Sequence, residues 1–315
     1  MCEPFSSYFQ RFFSRHDSSV QRESSEELTS HSSHPDPDNC NGAEDEVASD
    51  QTSESIGHFS PLLVQYTFIG HLGSGGFGSV CQYRNRTSGK NVALKKVQIL
   101  TQDQDEIDKI LREARVLATL GPHPNVVTLN HAWVEKVDSF ESVLYMDTEL
   151  CSGGSLRAYL NGTYSRELPK MTKLFKQIIS GVSFIHSFQI LHRDLKPDNV
   201  MFTMENVLKI CDFGISRVNS ESTKTQHIGT RPYMSPEVEN SGHYTEAVDI
   251  WAMGIILIEM EVDLSDVIQR QDCLNEARTG NVPKMDHKEL AKEMLNTNPE
   301  RRPTAKAILT RLQNY

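Results

Sequence analysis

Apolar side chains recur along this chain in distinct rhythms, and each rhythm predicts a different kind of element. From Tyr66 they alternate with polar ones around a glycine cluster, Phe68 before it and Val80 and Tyr83 after it, which predicts a β-hairpin. A turn at Thr87-Ser88-Gly89-Lys90 then leads into the strand Val92-Ala93-Leu94-Lys95. Over residues 105–120 the period changes: Ile107, Ile110, Leu111, Ala114, Leu117 and Leu120 fall at helical spacing. Val143-Leu144-Tyr145 reads as another strand. Leu174, Phe175, Ile178, Ile179, Val182 and Ile185 mark a buried helix over residues 170–188. The run from Ile255 to Ile258 with its neighbours is too short to span a bilayer. Before Ser60 no rhythm exists. Apart from Phe5, Tyr8, Phe9, Phe12 and Phe13, that stretch has little to bury.

Charge sharpens the division. Residues 1–60 carry twelve acidic side chains against three arginines, a net of −9, and the rest of the chain holds 30 acids against 29 bases. A disordered, acidic, Ser-rich tail over residues 1–60 is expected, followed by one folded region over 61–315. The aromatic cluster near the start reads as the sticky end of that tail rather than as a docking or membrane-touching segment. Arg11 and Arg15 interrupt it, so it is no secretory signal. With 315 residues, 37% of them hydrophobic, the chain is neither a disulfide-stapled miniprotein nor wholly disordered. Its formal net charge of −10 argues against nucleic-acid binding by bulk charge. Six cysteines lie at 2, 40, 81, 151, 211 and 273 without a CxxC pair, and are expected to be buried and reduced. Among the twelve histidines, His31 and His34 have no partner pair at zinc spacing, so no structural metal site is assigned. A soluble protein of the cytoplasm, with the nucleus as a second compartment, is the expectation.

The chemistry begins in the hairpin. Leu72-Gly73-Ser74-Gly75-Gly76-Phe77-Gly78-Ser79-Val80 contains GxGxxG, where missing Cβ atoms let backbone N–H groups approach a polyphosphate. A dinucleotide-binding loop has the same pattern but must open a helix, and here a second strand follows. No Gly-Lys-Ser/Thr closes the run, so it is not a P-loop either. Lys95 sits at the end of its apolar strand, where a lysine is ordinarily solvated. Glu113, at the edge of the buried stripe of the 105–120 helix, reads from periodicity alone as a surface residue.

Further on come Leu191-His192-Arg193-Asp194-Leu195-Lys196-Pro197-Asp198-Asn199 and Lys209-Ile210-Cys211-Asp212-Phe213-Gly214. Together with the glycine run and Val92-Ala93-Leu94-Lys95, and in this order, they resemble the eukaryotic protein kinases over roughly residues 66–313. The resemblance implies an α+β bilobal protein kinase fold. Its N-lobe (about 61–150) is a small antiparallel sheet with one main helix, and its C-lobe (about 151–315) is larger and mainly helical. It also implies ATP and Mg²⁺ as cosubstrate and cofactor, and a protein as phosphoryl acceptor. Asp194 would take the hydroxyl proton and Lys196 would neutralise the γ-phosphate. Asn199 and Asp212 would hold Mg²⁺, and Lys95, fixed by Glu113, would hold the α- and β-phosphates. The segment from Leu72 to Val80, Ala93, and the hinge residues Glu149 and Cys151 would enclose the nucleotide. Lys196 also implies Ser/Thr specificity. Glu237 of Met234-Ser235-Pro236-Glu237 is expected to pair with Arg302, and Asp249 to lie under the catalytic loop.

His131-Ala132-Trp133, Thr148 to Leu156, and Gly229-Thr230 to Glu237 narrow the resemblance to two sister groups: kinases of the alpha subunit of translation initiation factor 2, and the Wee1/Myt1 kinases of cyclin-dependent kinases. The catalytic-loop and Asp-Phe-Gly motifs, with Gly229-Thr230 to Met234-Ser235-Pro236-Glu237, favour the first. Leu120-Gly121-Pro122-His123-Pro124-Asn125 and Cys151-Ser152-Gly153-Gly154-Ser155-Leu156 favour the second. Only about ten residues separate Trp133 from the next strand, where the first group carries a long insert. Pro61 and Gln65 stand at that group's dimer-contact positions, so the oligomeric state stays open. A kinase-fold scaffold without phosphoryl transfer is the alternative of another class, and the presence of Lys95, Glu113, Asp194, Asn199 and Asp212 argues against it. In the activation loop, Thr225 and Thr230 are the candidate phosphosites, and Arg193 is the cation a phosphate there would meet.

Overall fold

The computed structural model describes residues 60–75, 78–138, 140–162, 166–213, 231–240 and 245–313. The expected tail, Gly76, Phe77, Gly214 and the candidate phosphosites Thr225 and Thr230 lie outside the described residues. The chain divides between Val64 and Gln65, and Gln65–Tyr315 is the second unit. A five-residue helix, α1 (Pro61–Gln65), lies at the boundary.

The second unit opens with a five-stranded antiparallel sheet of order β1-β2-β3-β5-β4. Its strands are β1 (Tyr66–Gly75), β2 (Gly78–Asn85), β3 (Asn91–Ile99), β4 (Leu129–Lys136) and β5 (Ser142–Glu149). The β1–β2 hairpin forms where the alternation placed it, with Gly73 opposite Val80 and Gly75 opposite Gly78. Lys95 is not a strand end. β3 continues to Ile99 because Val97 and Ile99 are buried and pair with Leu144 and Ser142 of β5.

The helix α2 (Gln104–Leu120) crosses between β3 and β4. Asp103 starts it, its carboxylate accepting from the backbone N–H groups of Asp105 and Glu106, and Gly121 ends it at a positive φ of 67°. Leu111, Ala114, Leu117 and Leu120 form its buried stripe. Glu113 is buried with them, only 4% exposed, which overturns its reading as a surface residue. Periodicity could not show this, since the cation that makes burial tolerable arrives from another element.

The remainder is mainly helical: α3 (Leu156–Asn161), α4 (Leu168–Ser187), α5 (Pro236–Asn240), α6 (Ala247–Glu261), α7 (Val267–Arg278), α8 (Lys288–Met294) and α9 (Ala305–Gln313). A two-stranded sheet, β6 (Val200–Phe202) with β7 (Leu208–Ile210), lies beside α4. Every residue of α6 from Ala247 to Met260 is buried, so this helix is the axis of the lobe. Its Trp251, Ile255 and Ile258 join Phe175, Ile178 and Ile185 of α4 in one core. Gly181 sits where α4 meets the β6–β7 region: a Cβ there would lie 2.7 Å from the Asn125 carbonyl oxygen and 2.8 Å from Ile210 Cδ1. The α+β, two-lobed architecture expected from the sequence is therefore present. The four described cysteines (81, 151, 211 and 273) are free thiols, but they are half-buried rather than fully buried.

Candidate active site

Charged residues from both lobes converge between them. Lys95 stands in mid-β3, opposite Val80 on one side and Met146 on the other. Its ammonium donates to Glu113 Oε2 at 2.8 Å and Oε1 at 3.1 Å, and to Asp212 Oδ1 at 2.9 Å. Burial alone would lower the lysine pKa, but the two carboxylates overcome it and hold the ammonium above its ordinary range. Burial pushes Glu113 above the usual carboxylate range, against the pull of Lys95. Asp212 is held below that range: its burial is outweighed by Lys95.

The loop from His192 to Lys196 is irregular, with a 3-10 turn at Pro197–Asn199 after it, and one carboxylate fastens it from below. Asp249 of α6, 1% exposed, accepts the backbone N–H of His192 with Oδ2 and that of Arg193 with Oδ1, both at 2.9 Å. His186 Nε2 lies 2.9 Å from the same Oδ2. Arg193 takes a positive φ of 68°, and Asp212 one of 63°, each uncommon for a residue with a side chain. The two bends flank the reacting groups. His192 ties them together: its Nδ1 accepts from the Asp194 amide at 3.3 Å, and its Nε2 faces the Cys211 carbonyl at 3.0 Å. That pairing assigns the ring hydrogen to Nε2. Phe213 packs on the same ring and is buried.

Asp194 Oδ2 accepts from Lys196 Nζ at 2.8 Å and from Asn199 Nδ2 at 3.1 Å. Asn199 Nδ2 also donates to the Asp194 carbonyl at 2.8 Å. The asparagine amide hydrogens are thus turned to Asp194, which leaves its side-chain oxygen for a cation. With Asp212 kept ionised, the donor set consists of hard oxygens, as Mg²⁺ requires. The residues present fit the metal, and Asn199 and Asp212 would hold it.

Around this centre lie the other expected positions. Gly78 has φ of 150°, and a Cβ there would fall 1.9 Å from the Lys96 carbonyl oxygen, so the glycine is required by the close approach of β3 to the start of β2. A Cβ at Gly73 would meet nothing within 4 Å; its lack of a side chain serves the open cleft rather than the packing. Leu72 and Ser74 are exposed, and Ser79 and Val80 are half-buried. Ala93 faces Thr148 across the β3–β5 pair, and its carbonyl accepts from Thr148 Oγ1 at 3.3 Å. The Glu149 carboxylate is engaged within the protein. Oε1 accepts from Lys209 Nζ at 2.8 Å and from the Thr128 amide at 2.7 Å, and the backbone of Glu149 stays available for the hinge position expected of it. Cys151 follows it, half-buried.

The predicted pair of Glu237 and Arg302 is in place. Arg302 clamps Glu237 at 2.6 and 2.8 Å and stacks over Trp251 at 4.9 Å. Sequence reasoning missed a network next to them. Arg157 of α3 reaches Glu259 of α6 at 2.7 Å, Asp198 of the catalytic loop at 3.4 Å, and the hydroxyl of Tyr233, which itself donates to Glu259. The partners lie 41, 76 and 102 residues from Arg157, and no local pattern marks such a set. Among the described residues no helix is long and apolar enough to cross a membrane.

Residues 66–312 match the protein kinase domain family, and the chain belongs to it. As a family member it uses ATP and Mg²⁺. It is similar to the mouse serine/threonine-protein kinase Nek4, with 32% identity over 259 residues, 78% of this chain and 32% of that one. It resembles mouse interferon-induced, double-stranded RNA-activated protein kinase at 33% over 267 residues, 78% of this chain and 50% of the relative. The membrane-associated tyrosine- and threonine-specific cdc2-inhibitory kinase wee-1.3 of Caenorhabditis briggsae is 32% identical over 246 residues, 75% of this chain and 36% of the relative. The chain therefore spans between about a third and a half of the length of these relatives.

Proposed function

We propose that this protein is an active kinase that transfers the γ-phosphoryl group of ATP to serine or threonine hydroxyls of a protein. The observation that carries the reading is the Lys95 ammonium held by Glu113 and Asp212 together. It joins β3, α2 and the second residue after β7, and a fold retained only for scaffolding would have no need of it. In this reading Lys95 holds the α- and β-phosphates. Asp194 accepts the proton of the acceptor hydroxyl and aims its oxygen at the γ-phosphorus. Lys196, 2.8 Å from Asp194, neutralises charge on the transferred group. Mg²⁺, when bound, screens the phosphate charge. Serine/threonine preference rests on Lys196 and on the family resemblance.

The alpha subunit of translation initiation factor 2 is the proposed substrate, from the resemblance at the catalytic loop His192 to Asn199, at Asp212-Phe213-Gly214 and at Gly229-Thr230 to Glu237. The second reading is inhibitory phosphorylation of a cyclin-dependent kinase, favoured by the relative described as a cdc2-inhibitory kinase. The reading also takes residues 61–315 as the catalytic domain and 1–60 as a tail dispensable for turnover, in a protein of the cytoplasm. The test incubates wild type and Asp194→Asn with radiolabelled ATP and each purified substrate. Label on serine of the first substrate supports the first reading, and label on the second supports the alternative. Equal inactivity of wild type and variant on both substrates and on themselves overturns the catalytic reading.

A further inference from the structure

A cavity of about 570 Å³ lies where the end of α4, the start of α6 and the segment between α8 and α9 meet. It is separate from the nucleotide cleft, since none of Lys95, Glu113, Asp194, Asn199 and Asp212 lines it. Leu191 and Pro303 give it an apolar side, and Glu246 and Glu300 give it two carboxylates. The cation in its wall, Arg302, is already spent. The Arg302 side chain is 0% exposed, and its guanidinium donates to Glu237, to the Ala247 carbonyl at 2.9 Å and to the Asn296 carbonyl at 2.8 Å. The charge left facing the cavity is therefore negative. Glu246 precedes α6, but its carboxylate caps none of the helix amides.

His186 supplies an independent observation. Its side chain is only 6% exposed, and its Nε2 lies 2.9 Å from Asp249 Oδ2. Asp249 does not line the cavity, whereas Glu246 does, and Glu246 Oε2 stands 3.8 Å from Nδ1 on the other side of the ring. That is too long for a hydrogen bond, and Nδ1 is a buried atom without a partner. With the ring hydrogen on Nε2 toward Asp249, Nδ1 turns a lone pair to the cavity side. Buried acceptors are ordinarily met, so this one calls for a donor. A lone pair beside a carboxylate suits a group that carries several N–H donors and a positive charge. A metal ion does not fit: among the described residues no three His, Cys, Asp or Glu side chains are grouped to hold one.

We propose that this cavity binds an aliphatic organic cation, an alkylammonium or guanidinium group whose N–H donors bridge His186 Nδ1 and the Glu246 carboxylate. Glu300, which is exposed, adds negative charge at the rim. Leu191 and Pro303 receive the carbon stem, as apolar surface does for the stems of lysine and arginine. The same head group occurs on free polyamines and on the basic side chains of proteins.

Full-length protein with isotope-labelled histidine nitrogens is titrated at about pH 8, above the ordinary imidazole range. The probes are spermidine, agmatine and the peptide acetyl-Gly-Arg-Gly-amide, and calorimetry follows the same titrations. At least one probe is expected to bind saturably. The unprotonated Nδ1 signal of one histidine, missing from the spectrum of His186→Gln, should move upfield as it accepts the new hydrogen bond. Glu246→Gln removes one charge from the shared contact and should weaken binding about tenfold. Glu289→Gln, on the exposed side of α8 and outside the cavity, should leave the affinity unchanged. Tighter binding of spermidine or agmatine than of the peptide makes a free amine the ligand, and the reverse order makes it a basic side chain of a partner protein. The proposal is overturned by absence of saturable binding of all three probes at millimolar concentration, or by equal affinity in wild type and Glu246→Gln. It is overturned equally by a His186 Nδ1 that already carries a proton in the free protein, because the imidazole and Glu246 would then satisfy each other.

Discussion

At the scale of single residues, Lys95 and Glu113 show how one contact serves both stability and chemistry. The carboxylate is buried, and removing its cation leaves a charge without compensation, a loss on the order of 3 kcal/mol. Lys95→Met is therefore expected to lower turnover by roughly a hundredfold or more and also to lower the melting temperature. Adding Glu113→Gln should restore much of the melting temperature and none of the turnover. Calorimetry of the two variants beside their kinetics checks this, and a single variant as stable as wild type would sink the coupling. Lys95, Asp194 and Asp212 were legible as candidates because their motifs are short and contiguous. Glu113 was named only through the resemblance; its burial was not legible from periodicity, because it depends on a lysine 18 positions away in another element. The pairing of the Glu149 carboxylate was not legible for the same reason: its partner Lys209 is 60 positions away.

At the scale of elements, alternation and helical spacing located β1, β2, α2 and α4 to within a few residues. The apolar faces of these elements carry the pattern. β3 was cut short at Lys95 because the two lysines at 95 and 96 interrupt the apolar run, while the alternation resumes at Val97 and Ile99. α6 could be read only as an apolar run, since a helix buried on all sides has no polar face to reveal its period. Its Asp249 gives the element a pH signature. Burial would raise this carboxyl, but the His186 hydrogen bond, the nearby imidazoles and the Arg193 amide bring it below the ordinary range. Glu237 is lowered too, by Arg302 against its burial. A carboxyl depressed in the folded state contributes stability that is complete above its unfolded value, about 4, and is lost as pH falls through the lower native value. Glu113, raised by burial, works in the opposite sense and offsets part of the loss. The melting temperature should therefore drop steeply below about pH 4, and Asp249→Asn should show a shallower acid limb. Parallel limbs in wild type and variant would remove Asp249 from this account.

At the scale of the whole molecule, Arg157 connects three parts that the chain keeps far apart: the catalytic loop at Asp198, the central helix at Glu259 and the segment after the activation loop at Tyr233. Through Tyr233 it sets where that segment lies relative to Asp194. Arg157→Ala is expected to raise the KM for a protein substrate about tenfold, the equivalent of about 1.4 kcal/mol, while the KM for ATP stays near wild type. Equal changes in the two constants would point to general loosening of the lobe instead.

Asp249 holds two successive backbone amides of a segment that is neither helix nor strand. An irregular loop at the mouth of a cleft ordinarily trades its amide hydrogens with solvent through small local openings. Here, releasing the His192 or Arg193 amide means exposing a carboxylate buried in the helix around which the lobe is built, so no small opening suffices. In deuterated buffer these two amides should exchange as slowly as those in the middle of α6, and with the same dependence on denaturant. The loop would then record the global unfolding of the lobe, and exchange at the rate of a surface turn would show that its anchoring is only local.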